Sequence, residues 1–250
     1  MIFTIAAREL RAAFLSPIAW ILIGVSQIIL AFILGSGLEN YVRVIQPQLH
    51  LYLTPPDMTS EVIVPQYMWL AIIMIVVSPL LSMRVFSDER KNKTLTLLVS
   101  APVSMTEIVV GKYLGLLTIV GIMLATFTVM PLCLLFFGSI DFGLLFSAML
   151  GVFLLMASCM AIGLYMSSLT QNPLISAMLS FFIILLLSIL IFAQGESPNQ
   201  FSLADLSLFQ HLMAFVSGLF SSHDLIYYLL LIGICLILAV HRLDSDRLQH

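Results

Sequence analysis

No Asp, Glu, Lys or Arg lies between Asp141 and Glu196, so a long stretch of this chain has no ionised side chain. A bilayer core about 30 Å thick is crossed by about 20 apolar residues in a helix. The turn signal Gln171-Asn172-Pro173 interrupts the stretch and divides it into two such crossings. The sequence therefore predicts a membrane protein with more than one span.

Composition extends this prediction to the whole chain. Hydrophobic residues make up 61% of the 250 residues and charged residues 9%, against roughly 45–50% and about 25% in soluble domains. We therefore expect an all-α fold, a polytopic membrane protein in which residues 1–250 form a single transmembrane domain with no space for a soluble catalytic domain. Hydropathy predicts six transmembrane helices, at about 18–37, 66–83, 109–137, 142–167, 173–193 and 224–241.

The basic residues predict the orientation of the six spans, because cytoplasmic segments carry the excess of Lys and Arg. If both termini are cytoplasmic, only Arg43 of the ten basic residues lies outside. The other nine are Arg8, Arg11, Arg84, Arg90, Lys91, Lys93, Lys112, Arg242 and Arg247. This asymmetry favours cytoplasmic termini and two external loops, 38–65 and 194–223.

The two predicted external loops differ in pattern. Residues 38–65 contain Pro47, Pro55, Pro56 and Pro65, which argue against a long continuous helix there. Residues 194–223 include the run FSLADLSLFQHLMAFVSGLF, in which apolar and polar residues alternate. That run indicates one or two helices lying in the outer interface of the membrane.

Residues 1–16 predict an amphipathic interfacial helix ahead of the first span. Its apolar face holds Phe3, Ala6, Leu10, Ala13 and Phe14. Its polar face holds Thr4, Arg8 and Arg11. Such a helix lies along the inner leaflet with its arginines toward lipid phosphate, so Arg8 and Arg11 are predicted inner-leaflet anchors. The alternative is a positive-inside anchor with no mechanical role.

The cytoplasmic region 84–108 is the largest segment predicted on that side of the membrane. We expect Ser87 to cap a helix that has Asp88 and Glu89 in its first turn, where acidic side chains favour the helix dipole. The helix would continue until Pro102, and Ser104 with Glu107 would form a capping box at the start of the third span. A short rigid helix here could receive force from a soluble motor; the alternative is a solvated loop that carries positive-inside charge.

Glycine spacing at the start of the third span predicts close helix packing. Gly111 and Gly115 form a Gly-x-x-x-Gly pattern, which lets two helix backbones approach each other. Packing within the chain is favoured over a dimer seam, because the pattern is common in membrane helices.

Patterns typical of catalysis or cofactor binding are missing from the sequence. The five histidines lack metal-ligand spacing, and Gly111-Lys112 is no P-loop because Thr106 stands where that motif needs glycine. The three cysteines lie in apolar runs that suggest neither a disulfide nor a metal. The ten basic residues are too scattered for a phosphate-binding stripe. We expect no enzyme activity, no metal, no cofactor and no nucleic-acid partner.

Three segments together resemble the permeases of type-2 ABC exporters, particularly the gliding-motility-type subfamily. These segments are residues 8–20, 79–115 and 211–229. The middle segment is the most specific. It contains Arg84, Phe86, Asp88-Glu89-Arg90, the stretch Thr94 to Leu98 and the turn Ala101-Pro102-Val103.

The resemblance implies a coupling helix between the second and third spans that docks on a separate ABC ATPase subunit, which would bind ATP and magnesium. It also implies two permeases, identical or homologous, with two ATPases in a bacterial cytoplasmic (inner) membrane. A periplasmic or envelope accessory protein remains an open expectation. The predicted ATPase-coupling residues are Asp88, Glu89, Arg90, Thr94, Leu95 and Leu98.

Two functions follow from these patterns. The leading hypothesis is the permease subunit of an ATP-driven exporter; the alternative is a mechanotransmission subunit that signals the ATPase state to an envelope partner, which the long 38–65 loop would suit. An intramembrane enzyme lacks a paired acid, a nucleophile or a metal cluster in the sequence. A cavity lined by Leu, Phe, Met and Ser would fit a lipid, a hydrophobic peptide, a drug or a polysaccharide carrier.

Overall fold

A computed structural model of the chain describes residues 2–47, 57–92, 104–136, 141–192 and 203–248. This part of the chain contains nine α-helices and no strand, which confirms the all-α prediction. The helices are α1 (Ile2–Leu15), α2 (Pro17–Asn40), α3 (Val64–Ser82), α4 (Arg84–Lys91), α5 (Met105–Leu132), α6 (Phe142–Leu169), α7 (Pro173–Ile189), α8 (Leu208–Val216) and α9 (Ser222–Leu248).

Six helical stretches are long and apolar enough to cross a membrane, as the sequence predicts. They are Pro17–Ile45, Thr59–Lys91, Met105–Leu132, Phe142–Leu169, Pro173–Phe192 and Ser222–Asp246. The boundaries differ from the predicted ones mainly in the first half of the chain. π-Helical turns at Tyr41–Ile45 and Thr59–Ile63 extend the first two spans into the predicted 38–65 loop, of which residues 48–56 lie outside the described part.

Capping side chains set the starts of several helices. The Ser104 and Glu107 capping box at the start of α5 is confirmed, with both reciprocal hydrogen bonds present. Asn172 accepts a hydrogen bond from the backbone N–H of Leu174, so the predicted turn before α7 is also confirmed. Each cap satisfies an amide that the helix itself leaves without a partner.

α6 lies at the centre of the bundle and packs against α3, α5, α7, α8 and α9. Gly163 of α6 faces Ser82 of α3 so closely that a β-carbon at this position would overlap the Ser82 side chain. The outer helices instead present large apolar side chains outward, for example Phe32 of α2, which is 78% exposed. Lipid is the solvent that such faces match.

The predicted 194–223 loop contains α8, which confirms a helix in this segment. Its buried face includes Leu208, His211, Leu212 and Phe215. That face packs on α6, where the Ser147 hydroxyl donates a hydrogen bond to the Phe215 carbonyl over 2.7 Å. α8 is therefore built into the helix bundle rather than resting only on the membrane interface, and residues 193–202 before it lie outside the described part.

Candidate functional site

α4 continues the second span at its predicted cytoplasmic end, because Met83 alone separates it from α3. The expected N-cap at Ser87 is wrong. The helix already begins at Arg84, and the Ser87 hydroxyl donates to the carbonyl of Met83, the residue just before the helix. A serine one turn inside a helix bonds back to a carbonyl in this way. Asp88 and Glu89 consequently lie beyond the first turn.

Ser167 of α6 holds the junction between α3 and α4. Its hydroxyl oxygen accepts hydrogen bonds from the backbone N–H groups of Phe86 at 3.0 Å and Ser87 at 3.1 Å. The same hydroxyl donates to the Met83 carbonyl at 3.0 Å. One side chain of the central helix therefore satisfies three backbone groups of the junction.

Lys112 of α5 is the centre of a buried ionic cluster. Its side chain is 1% exposed, and Nζ donates to Glu9 Oε1 at 2.9 Å and to Glu89 Oε1 at 2.8 Å. Nζ also donates to the Val85 carbonyl at 2.8 Å and lies 5.0 Å from the centroid of the Phe86 ring. Three donated hydrogen bonds use the full capacity of an ammonium group.

Arg8 completes the charge balance of this cluster. Its guanidinium lies 3.2 Å from Glu89 Oε1 and 3.5 Å from Glu9 Oε1. The cluster thus contains two positive and two negative side chains, contributed by α1, α4 and α5. Arg8 was predicted as a lipid anchor, and in the structure it also joins α1 to α4; the other predicted anchor, Arg11, is exposed.

The inward face of α1 contains four of the five residues predicted on its apolar face, Ala6, Leu10, Ala13 and Phe14. Gly111 and Gly115 lie directly beneath α1, and a β-carbon on Gly115 would come within 2.8 Å of Glu9 Cβ. The Gly-x-x-x-Gly pattern therefore serves packing within the chain. Phe3, which was expected on the apolar face, is 84% exposed. The packed face also includes Glu9, which forms the ion pair with Lys112.

The far end of α4 is bound to the last helix. Arg90 forms an ion pair with Asp246 of α9, and both side chains are largely buried. Arg242, one turn earlier in α9, lies 3.7 Å from the same carboxylate. The expectation that Asp246 belongs to a solvated tail is wrong, since α9 continues to Leu248 and brings this residue against α4.

A cavity of about 290 Å³ lies on the remaining side of α4. Arg84, Val85 and Asp88 line it from α4, and Glu9 lines it from α1. α4 is therefore attached to α1, α5, α6 and α9 by polar bonds, and the cavity separates its first residues from parts of α1 and α2. We call α4 with Ser167, Lys112, Glu9, Arg8 and Asp246 the coupling junction.

The predicted coupling residues have separate positions in this arrangement. Glu89 and Arg90 are partners within the coupling junction, and Asp88 lines the cavity. Thr94, Leu95 and Leu98 lie outside the described residues, as does the Pro102 turn. Sequence reasoning did not single out Lys112, although one lysine inside an apolar span is a signal of a functional site.

The sequence of this helical membrane bundle is similar to that of a known protein family. A family model described as ABC-2 family transporter protein matches residues 3–229. The chain belongs to the ABC-2 transporter family. It is accordingly an integral membrane protein of the ABC permease type, in a family whose members are generally non-catalytic transmembrane subunits and work with an ABC ATPase. The chain matches none of the curated proteins with which it was compared.

Proposed function

We propose that this ABC-2 family member is the permease subunit of an ATP-driven exporter whose ATPase is a separate polypeptide. A substrate would move from the cytoplasm or the inner leaflet outward, and ATP and magnesium would bind to the ATPase subunit. In this proposal the chain is of the gliding-motility type, has both termini in the cytoplasm of a bacterium and pairs with a second, identical or homologous permease.

The observation that carries the proposal is the set of polar bonds around α4. Ser167, Lys112 and Asp246 attach α4 to α6, α5 and α9, so that a displacement of α4 acts on three spans at once. The cavity beside Arg84 and the other α4 residues gives the helix room to move toward α1. An element that receives force from an ATPase needs both properties.

Transmission and docking are assigned to different residues in this mechanism. Glu89 and Arg90 are bonded inside the chain, so we assign to them the transfer of movement from α4 to α5 and α9. The ATPase contact then falls to the residues that follow α4, with Leu95 and Leu98 as its apolar part and Thr94 as a polar contact. Asp88, which lies inside α4, remains a predicted contact.

The experiment compares variants of the two groups in the complex purified from native membranes with its ABC ATPase. We expect Leu98→Asp to lose the ATPase during purification. Glu89→Gln should keep the ATPase but lose the permease-dependent stimulation of ATP hydrolysis, because it weakens the bonds to Lys112 and Arg8. Glu61→Gln, an exposed acid near the other end of the second span, is the matched control and should behave as wild type.

Two outcomes would contradict the proposed function. If no ABC ATPase accompanies the wild-type chain, the two-polypeptide exporter is wrong. If Leu98→Asp and Glu89→Gln both keep the ATPase and its stimulated turnover, coupling belongs to another cytoplasmic segment, and the 168–172 turn is the next candidate.

Transport and mechanotransmission are separated by proteoliposomes that contain the complex. A fluorescent phospholipid and a labelled hydrophobic peptide serve as probes of movement across the bilayer. An exporter moves at least one such probe in an ATP-dependent manner, and Glu89→Gln slows the movement. ATP turnover that moves neither probe but changes the protease sensitivity of residues 38–65 would support the mechanotransmission alternative.

A further inference from the structure

A second polar cluster joins α8 to the start of α9, at the end of the bundle opposite the coupling junction. The His211 side chain of α8 is 3% exposed, and its Nδ1 lies 2.6 Å from Asp224 Oδ1 of α9. Its Nε2 lies 2.9 Å from the backbone carbonyl oxygen of Asp205. Tyr227 stacks on the imidazole with ring centroids 3.9 Å apart. None of these groups belongs to the coupling junction.

The hydrogen-bond partners of His211 determine where its hydrogens are. A backbone carbonyl can only accept, so Nε2 carries a hydrogen and donates it to Asp205. In a neutral imidazole with that hydrogen, Nδ1 carries a lone pair that points at an accepting carboxylate oxygen of Asp224; in an imidazolium, Nδ1 carries a second hydrogen that this oxygen accepts. Two acceptors 2.6 Å apart require either a hydrogen or a metal ion between them.

His223 supplies a third ligand atom at the same position. Its Nδ1 lies 3.7 Å from Asp224 Oδ1, which is too long for a hydrogen bond. The three ligand atoms, from His211, His223 and Asp224, lie within 4.8 Å of one another. Ligand atoms at about 2.0–2.2 Å from a tetrahedral metal are about 3.3 Å apart. Of the two separations that involve Asp224, 2.6 Å is shorter and 3.7 Å longer than this spacing, so small side-chain adjustments would accompany ion binding.

The surroundings of His211 are those of a metal ligand. Metal-binding histidines usually donate their other ring N–H to a backbone carbonyl or a carboxylate, which fixes the ring and its tautomer. The bond from Nε2 to the Asp205 carbonyl has this role, and Tyr227 restrains the ring from one face. His223 is 80% exposed, so an ion and its water ligand can reach the site from solvent.

We propose that His211, His223 and Asp224 form a binding site for a divalent transition-metal ion of the zinc class, with a fourth position for water. Two imidazoles and one carboxylate suit zinc, copper, nickel or cobalt better than magnesium or calcium, which prefer oxygen ligands alone. The ion would link the nine-residue helix α8 to the last span. Metal spacing in the sequence did not reveal this site, because the chain reverses at Gly218, with φ of 80°, between the two histidines.

The test uses the full chain in detergent without a polyhistidine tag, and Co²⁺ as a spectroscopic probe. We expect one Co²⁺ per chain with the visible absorption of a tetrahedral site, and displacement by one equivalent of Zn²⁺. Zn²⁺ should also raise the unfolding temperature of the wild type. Removing a direct ligand should lower affinity by more than the roughly 10–100-fold that loss of an outer hydrogen-bond partner costs.

His223→Ala is the decisive variant because this side chain is exposed and its removal leaves the core intact. It should lose the Co²⁺ absorption and the Zn²⁺-dependent shift in unfolding temperature. His241→Ala, an exposed histidine near the other end of α9, is the control and should keep both. Absence of Co²⁺ and Zn²⁺ binding by the wild type, or wild-type binding by His223→Ala, would overturn the proposal.

Discussion

Lys112 places an ammonium group inside an apolar span, and its partners determine the free-energy cost of burying that group. Removing an ammonium group from water is expensive, and only close opposite charges with well-aligned hydrogen bonds offset the loss. Glu9 and Glu89 supply those charges from helices on either side. If Lys112 is removed, the two carboxylates keep the exposed guanidinium of Arg8 but lose the buried cation between them.

We expect Lys112→Met to lower the free energy of unfolding by about 3–5 kcal/mol, the usual cost of removing one partner from a buried ion pair. Lys91→Met, an exposed lysine of α4, should change it little. Thermal unfolding of both variants in detergent gives the comparison. Equal unfolding temperatures for the two would show that the buried cluster contributes no stability.

The hydroxyl groups of Ser167 and the adjacent Ser168 should contribute differently to stability. Ser167→Ala leaves the buried N–H groups of Phe86 and Ser87 without their acceptor, at a cost of about 1–3 kcal/mol. Ser168→Ala removes only a bond from Ser168 to the Tyr165 carbonyl within α6. The first variant should unfold at the lower temperature in a calorimeter; the reverse order would contradict the role of Ser167 at the junction.

The bonds of a side chain could be predicted from the sequence only where its partner lies nearby in the chain. The Ser104 and Glu107 box was predictable because both residues belong to one helix turn. The bonds of Lys112 were not, since Glu9 is 103 positions away and only folding brings it near. Ser87 was misassigned because a serine before two acids resembles a cap whether or not a helix already precedes it.

Among the helices, the contact between α1 and α5 depends on two glycines, Gly111 and Gly115, which have no side chain to hold α1 away. Gly115→Leu should push α1 away from α5, because the new side chain meets Glu9 and the backbone of Ala6. Overpacking of this kind costs about 1–3 kcal/mol. Hydrogen exchange of the α1 amides should accelerate. Gly121→Leu, on the same helix with open space around it, should leave the exchange of α1 unchanged.

The six spans and most of their starts were predictable, because length, hydropathy and local caps are properties of single segments. The π-helical extensions of the first two spans were not, since prolines in residues 38–65 suggested that helical structure ends sooner. α8 was predicted as an interfacial helix. The sequence could not show that its apolar face packs on α6, because α6 is distant in the chain. The pattern of apolar residues in α8 is the same whether that face contacts the membrane interface or another helix.

For the whole molecule, the arrangement predicts which residues a reagent reaches from each side of the membrane. Asn92, at the end of α4, and Ser217, after α8, are both exposed. In a background with exposed Cys133 replaced by alanine, we expect Ser217→Cys to react with an impermeant maleimide in intact cells and Asn92→Cys to react only after lysis. Labelling of Asn92→Cys in intact cells would contradict the orientation drawn from the basic residues.

α9 has a mechanical property that follows from its two bonded ends. Asp246 binds Arg90 at one end, and Asp224 binds His211 at the other, about 33 Å away at 1.5 Å per residue. No proline interrupts the helix between them. If α4 moves as we propose, α9 would carry that movement from Asp246 at one end to α8 at the other. A nucleotide-driven event on one side of the membrane would become a change of shape on the other.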